Sequence, residues 1–293
     1  MNHPYAIVVN GLLVDGHAAG QPVPWWSFTK TLLAAAALVL VRNGRCELTA
    51  RMPGKPYTLR QLLRHTAGLA NYTDLPAYQS AVAGGGQPWS AQEMLARVDA
   101  DRPPFEAGTM WKYSNLGYHH VRCFIEQATG QGLMSALNDL VLRPLHIEGV
   151  SLGTEPDDMA RTVWGNPTGY DPRWVYHGLL IGPPVAAAMA LNRLLSGDLL
   201  PPHLLADMRD SVVLAHHMPG RPWIDPGYGL GLMTAGGPIG RCLGHTGQDV
   251  TSVAAVYHFD DLDPARTVAV FAPGGDQAQV EWLAIEHARS FNG

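Results

Sequence analysis

The chain has 293 residues, of which 46% are hydrophobic and 15% charged, and its formal net charge is -5. That is enough apolar material for a sizeable core, as one large domain or two interleaved ones. The mild acidity excludes the basic stripe that a nucleic-acid partner requires, and 32 glycines with 23 prolines describe a loop-rich globule rather than a disordered chain.

Tyr5 to Val9 and Leu12 to Val14 read as two short strands joined by Asn10-Gly11, a pair that favours a tight hairpin. After a proline-rich link, Ser27 to Arg42 is apolar on nearly all faces and ends at Asn43-Gly44, which predicts a helix buried all round. Short helices are expected over 58–65 and over 90–98, the second opened by a Ser90-x-x-Glu93 capping box. Helices over 116–129, 133–142, 185–195 and 204–209 follow, and 149–182 reads as mostly loop. The period then changes. Residues 228–233, 239–243, 250–259 and 266–271 predict strands, and 277–291 predicts a closing amphipathic helix. The fold class is therefore α+β: an antiparallel sheet built from both termini and flanked by helices, with a mostly helical inserted domain. The expected division is 1–25 with 200–293 as the sheet domain and 26–199 as the helical one, with the active site between them.

Cys46, Cys123 and Cys242 are widely spaced and odd in number, so they form neither a complete disulfide set nor a Cys-x-x-Cys motif. The longest apolar run, Leu32 to Val41, is too short to span a bilayer. No basic and apolar leader opens the chain. A cytoplasmic location is expected, or a periplasmic one for a mature form. The adjacent pairs His119-His120 and His216-His217 lack zinc-site spacing, and no phosphate-cradling or dinucleotide fingerprint occurs. Neither a metal nor any other cofactor is expected.

Only three of the 20 basic residues are lysines, Lys30, Lys55 and Lys112, so each invites a reason. Lys30 follows Ser27 by three positions at the head of the buried helix, so its amine can reach back to the serine hydroxyl. A serine there can attack while helix N-terminal N–H groups favour the developing negative charge. The bland alternative is an N-cap serine beside a solvated lysine, but a lysine heading an apolar helix is expensive unless paired. Tyr113-Ser114-Asn115 opens another helix: a phenol beside a lysine can share its proton, and a carboxamide can bind a substrate carbonyl or amide. Gly244-His245-Thr246-Gly247 lies at or just beyond a predicted strand end, where small residues allow close backbone approach. Gly149-Val150-Ser151-Leu152-Gly153 fits the Gly-x-Ser-x-Gly elbow pattern, but a helix precedes it where that motif needs a strand.

Together, Ser27-x-x-Lys30, Tyr113-Ser114-Asn115 and His245-Thr246-Gly247 resemble, in order and spacing, the serine beta-lactamase and penicillin-binding protein superfamily. The nearest branch is that of class C beta-lactamases, D-alanyl-D-alanine carboxypeptidases, D-aminopeptidases and lactamase-like esterases. The segments 57–69 and 105–118 and Tyr228-Gly-Leu-Gly231 are similar to the same branch. The resemblance implies a serine hydrolase that cleaves an ester or amide of a small molecule or peptide through an acyl-enzyme on Ser27. It implies Lys30 and Tyr113 as base and acid, Asn115, His245, Thr246, Gly247 and Gln248 as substrate-side residues, and the N–H groups of Ser27 and Gln248 as the oxyanion hole. Two departures stand out. His245 replaces the lysine of most beta-lactamases, which favours peptidase and esterase members over a lactamase. Only 26 residues precede Ser27, fewer than is usual in the superfamily. The alternatives are a beta-lactamase or D-alanyl-D-alanine carboxypeptidase, and a non-catalytic binding module. Substrate-side aromatics are expected among Trp25, Trp26, Tyr72, Trp89 and Trp111.

Overall fold

The computed structural model describes residues 3–214, 218–249 and 251–290. His216-His217, Val250 and Phe291, which entered the expectations above, lie outside the described residues. The strands are β1 (Tyr5–Val9), β2 (Leu12–His17), β3 (Val23–Pro24), β4 (Ser151–Gly153), β5 (Leu179–Gly182), β6 (Val212–Val213), β7 (Ile224–Tyr228), β8 (Met233–Gly237), β9 (Gly240–Gln248), β10 (Ser252–Phe259) and β11 (Arg266–Pro273). The helices are α1 (Thr29–Arg42), α2 (Leu59–Leu63), α3 (Pro76–Ala83), α4 (Ala91–Arg97), α5 (Asn115–Thr129), α6 (Leu133–Leu137), α7 (Pro156–Ala160), α8 (Pro184–Leu195), α9 (Pro202–Arg209) and α10 (Gln277–Ser290).

The main sheet runs in the order β2-β1-β11-β10-β9-β8-β7-β6, with β1 and β11 joining the two ends of the chain in antiparallel register. Asn10 and Gly11 take φ of 51° and 73°, which matches the tight hairpin expected between β1 and β2. The central strands are covered on both faces. Ala254 and Val256 of β10 pack into the core that includes α8, whereas Val253, Ala255 and Tyr257 pack into the one that includes α10. Burial on both faces explains why this strand reads as a continuous apolar run rather than an alternating one.

α1 carries four consecutive alanines, Ala34 to Ala37, all fully buried, so neighbouring elements approach its axis closely. One of them is the turn between β7 and β8. A strand is expected over 228–233, but β7 ends at Tyr228 and β8 begins at Met233 because the backbone turns against α1. Thr31 Oγ1 donates to Gly231 O at 2.7 Å, Gly231 has φ of 73°, and a Cβ there would lie 2.4 Å from the Ala34 side chain.

Two more expectations are corrected. The stretch 149–182 contains α7 and two strands, β4 and β5, which join β3 in a second sheet of order β3-β5-β4; strands of two to four residues are too short to show a period. Ser151 sits exposed on β4 rather than at a strand-to-helix elbow. The Ser90 cap is only half of the expected box, because the Glu93 carboxylate pairs with Arg97; the reciprocal box belongs to Thr58 and Gln61 at the head of α2.

Gly231→Ala forces a left-handed Cβ into α1, so it should cost at least about 2 kcal/mol. Gly220→Ala, at φ of 80° with open space around it, should cost only about 1 kcal/mol. Urea unfolding midpoints of the two variants check the difference.

Candidate active site

Trp25 N donates to Leu180 O at 2.8 Å, which ties the chain after β3 to β5 just before it enters α1. Trp26 then takes φ of 44°, a conformation that strains a bulky residue by about 1–3 kcal/mol. It is held there by its Nε1, which donates to Ser252 Oγ at 2.9 Å, and by edge-on packing against Tyr170 at 5.6 Å. This bend presents Ser27 to β9. A Cβ on Gly247 would fall 2.6 Å from the Ser27 backbone nitrogen, so only glycine lets the strand come this close.

Lys30 stands one turn further along, completely buried. Its Nζ lies within hydrogen-bond distance of both Ser27 Oγ, at 3.0 Å, and His177 Nε2, at 3.0 Å. Tyr113 Oη donates to the same serine oxygen at 3.0 Å. Burial holds the Lys30 amine well below its usual value of 10.5 and raises the Tyr113 phenol above its usual 10.0, so it favours the neutral form of both groups. A neutral amine carries a lone pair that can take the serine proton, and a neutral phenol can give one.

The head of α5 is built on loop 65–71. Ser114 caps the helix through Gly117 N and donates to Ala70 O, while its own N–H reaches His65 Nδ1 at 3.1 Å. Asn115 Nδ2 donates to Asn71 Oδ1 at 3.1 Å, which fixes the carboxamide beside the cavity. That cavity, about 600 Å³, is bordered by Ser27, Tyr113, Asn115, Thr246 and Gln248, with Tyr78, Trp111, Met218 and Met233 supplying an apolar surface.

Ser27, Lys30, Tyr113, Asn115, Thr246, Gly247 and Gln248 are thus brought together, and His245 is placed differently from the expected wall position. It lies inside β9 rather than at its end, is fully buried, and is absent from the cavity lining. Its Nδ1 lies 2.7 Å from Thr246 O and its Nε2 2.9 Å from Tyr228 Oη, so the N–H belongs on Nδ1 and Nε2 accepts from the phenol. Burial, reinforced by the nearby Lys30, pushes this imidazole down to about 3. Thr246 borders the cavity, but its hydroxyl is engaged by Tyr257 Oη at 2.7 Å and by the buried Glu281, which Arg221 clasps with two nitrogens. Lys112 points away from the site and pairs with Asp74 at 3.5 Å. Of the aromatics considered, Trp111 borders the cavity, Trp26 and Tyr72 border a smaller adjoining one, Trp25 is buried, and Trp89 packs on Tyr78 and Trp174.

Two residues of the site escaped sequence reasoning as individuals. His65 lies within the segment 57–69, where resemblance was the only signal. His177 sits in a stretch without period or motif, and nothing in the sequence marks it. Burial is the largest cause that holds both rings well below the ordinary histidine value of 6.5.

The family model described as Beta-lactamase matches residues 6–272. Among solved structures, a D-stereospecific amidohydrolase from Streptomyces sp. superposes with a TM-score of 0.77 at 25% identity, covering 95% of this chain and 93% of that one. The D-amino acid amidase of Ochrobactrum anthropi SV3 gives 0.79 at 21% identity, covering 97% and 94%. The octameric penicillin-binding protein homologue of Pyrococcus abyssi gives 0.76 at 20% identity, covering 97% and 72%. Among curated proteins, the probable fimbrial assembly protein FimD, serogroup H1, of Dichelobacter nodosus is 27% identical over 45% of this chain. The match spans 36% of that relative's length.

The three neutral imidazoles around Lys30 tie stability to pH. His65, His177 and His245 are depressed in the folded state, so the unfolded chain binds more protons below pH 6.5 and stability falls as pH falls. Each contributes a slope of up to about 1.4 kcal/mol per pH unit, continuing for His245 down toward about 3. Urea midpoints should drop steadily from pH 6.5 to 5, and from pH 7 to about 9 they should go on rising, because the depressed Lys30 amine leaves the unfolded chain with the extra proton there.

Proposed function

The chain belongs to the beta-lactamase family, and from that premise we propose that it is a serine hydrolase that cleaves an amide or ester through an acyl-enzyme on Ser27. The observation that carries this reading is the contact of Ser27 Oγ with a buried lysine amine and a buried phenol, each at 3.0 Å.

Lys30 is the general base of acylation. Its amine is neutral because burial disfavours the ammonium, and its lone pair takes the Ser27 proton as Oγ bonds to the acyl carbon. The carbonyl π electrons move to oxygen, where the backbone N–H groups of Ser27 and Gln248 receive the negative charge. Tyr113, kept protonated by burial, serves as the acid that passes a proton toward the leaving nitrogen or oxygen and is restored through Lys30. Asn115 holds the substrate carbonyl or amide. Deacylation repeats the sequence with water as nucleophile.

The substrate we infer is a small amide with an apolar side chain. Trp111, Tyr78 and the two methionines supply the apolar surface beside the serine. The likeness to the Streptomyces D-stereospecific amidohydrolase supports D-amino-acid amides as the first class to try. His245 stands where most lactamases carry a lysine, and its buried neutral ring offers no charge to a β-lactam carboxylate. This supports an amidase or esterase over a dedicated lactamase or D-alanyl-D-alanine carboxypeptidase.

Incubation with a p-nitrophenyl ester should release a burst of nitrophenol and leave an acyl adduct on Ser27 by mass spectrometry. Ser27→Ala should give neither; an equal adduct in that variant would sink the reading. A panel of D-amino-acid amides, short esters, nitrocefin and D-alanyl-D-alanine peptides should show preference for the amides. Lys30→Ala and Tyr113→Phe should each lower kcat by about 10²–10⁴. Protonating Lys30 removes the base, so kcat/KM should fall on the acid side as pH drops through the depressed lysine value, and stopped-flow pH profiles read that limb.

A further inference from the structure

Within the described residues, the hydrogen-bond partners of the Lys30 amine are Ser27 and His177, and no carboxylate pairs with it. His177 is itself buried, and its other ring nitrogen, Nδ1, is buried without any hydrogen-bond partner among the described residues. The contact is not loose. His177 lies in a tight turn closed by Gly178 N donating to Val175 O at 2.7 Å, and Gly178 has φ of 97° with no room for a Cβ beside Leu133. The next residues form β5, which holds the chain on either side of Ser27: Leu180 N donates to Thr29 Oγ1 at 3.1 Å and Leu180 O accepts from Trp25 N. The imidazole is therefore fixed relative to the serine by the strand that fixes the serine.

A neutral amine has two N–H bonds and one lone pair. For the lone pair to face the Ser27 hydroxyl, the N–H bonds must be drawn elsewhere, or one of them will donate to Oγ and leave the amine turned the wrong way. We propose that His177 is a positioning residue for acylation: its Nε2 accepts an N–H of Lys30 and thereby turns the amine lone pair onto the Ser27 hydroxyl. This rests on Ser27 and Lys30 acting as nucleophile and base. The acceptor role places the ring proton on Nδ1, so the orphan Nδ1–H follows from the requirement that Nε2 face the lysine. As Oγ bonds to the acyl carbon, its proton moves to Nζ. The ammonium so formed keeps its hydrogen bond to His177, and the leaving nitrogen or oxygen carries the proton away as the scissile bond breaks. His177 takes no proton at any stage.

The test is the single-turnover rate of Ser27 acylation by p-nitrophenyl acetate, read beside thermal midpoints. His177→Phe keeps the ring and removes the acceptor; it should slow acylation about 10- to 100-fold with KM within threefold of the unaltered protein. His177→Gln offers a carbonyl acceptor in place of Nε2 and should recover the rate to within fivefold. Where the Phe variant does not fold, His177→Leu takes its place. Acylation within twofold in the variant lacking the acceptor would overturn the proposal, as would a folded Gln variant as slow as the Phe one. If the unaltered protein forms no Ser27 adduct at all, the serine-hydrolase reading falls first and this one with it; loss of the positioning role alone leaves that adduct intact.

Discussion

A lysine amine stripped of water, with no carboxylate paired to it among the described residues, is the constraint around which the rest of the molecule is arranged. An isolated ammonium in such a place would cost several kcal/mol, so burial favours the deprotonated amine, the form that the proposed acylation needs as its base. Keeping it that way requires every neighbour to be neutral, and the surroundings comply: a serine hydroxyl, a tyrosine phenol and three imidazoles, each held uncharged by burial. A carboxylate here would restore the ammonium and abolish the lone pair. The acidic residue nearest in the β9 network, Glu281, is instead committed to Arg221 and to the hydroxyl of Thr246. The charge-bearing pair thus braces β9 from the α10 side while the side that faces Lys30 remains neutral.

The second constraint is steric. The Ser27 hydroxyl is half-exposed while the Lys30 amine, three residues on, is fully buried, as the proposed nucleophile and base require. A regular helix beginning before Ser27 would give both residues the same face and similar burial. The left-handed Trp26 breaks the chain at that point, so Ser27 stands in a short 3-10 turn at the cavity wall and Lys30 sinks into α1. The strain is offset by a buried indole hydrogen bond to Ser252 and by the close passage of Gly247. Both partners lie on adjacent strands of the main sheet, so the sheet built from the two ends of the chain sets the geometry of a turn near its beginning.

This division explains what could be read in the amino-acid sequence. The hairpin and the all-round apolar α1 with its stop at Asn43-Gly44 depend on local chemistry, and local chemistry is legible. The sheet made from both termini could be inferred because β-type periods occur at both ends with helical ones between. The chance of recognising Ser27, Lys30 and Tyr113 came from motif order, since three short ordinary motifs become informative only together. What escaped depends on contacts between distant segments. The turn at 229–232 exists because α1 carries alanine at Ala34, which no window around Gly231 contains. The β3-β5-β4 sheet is too short for a period. The inward turn of His245 follows from its register in β9, where a shift of one residue exchanges faces, and a motif of three residues does not state its register.

His177 is the sharpest example. In sequence it is one of 13 histidines, 147 positions from the lysine it touches, in a stretch of turns. In space its Nε2 stands 3.0 Å from the Lys30 amine, where it can accept an N–H without adding charge. A carboxylate would be a stronger acceptor but would fix the proton on nitrogen; a hydroxyl would be neutral but could turn its own proton toward the lone pair. A neutral imidazole, held by its backbone so that Nε2 faces the amine, is an acceptor with neither fault. Its Nδ1–H, without a partner among the described residues, is a local loss of about 1–3 kcal/mol, and a site that tolerates such a loss beside an amine whose neutral form burial favours is organised for the state of that amine rather than for stability.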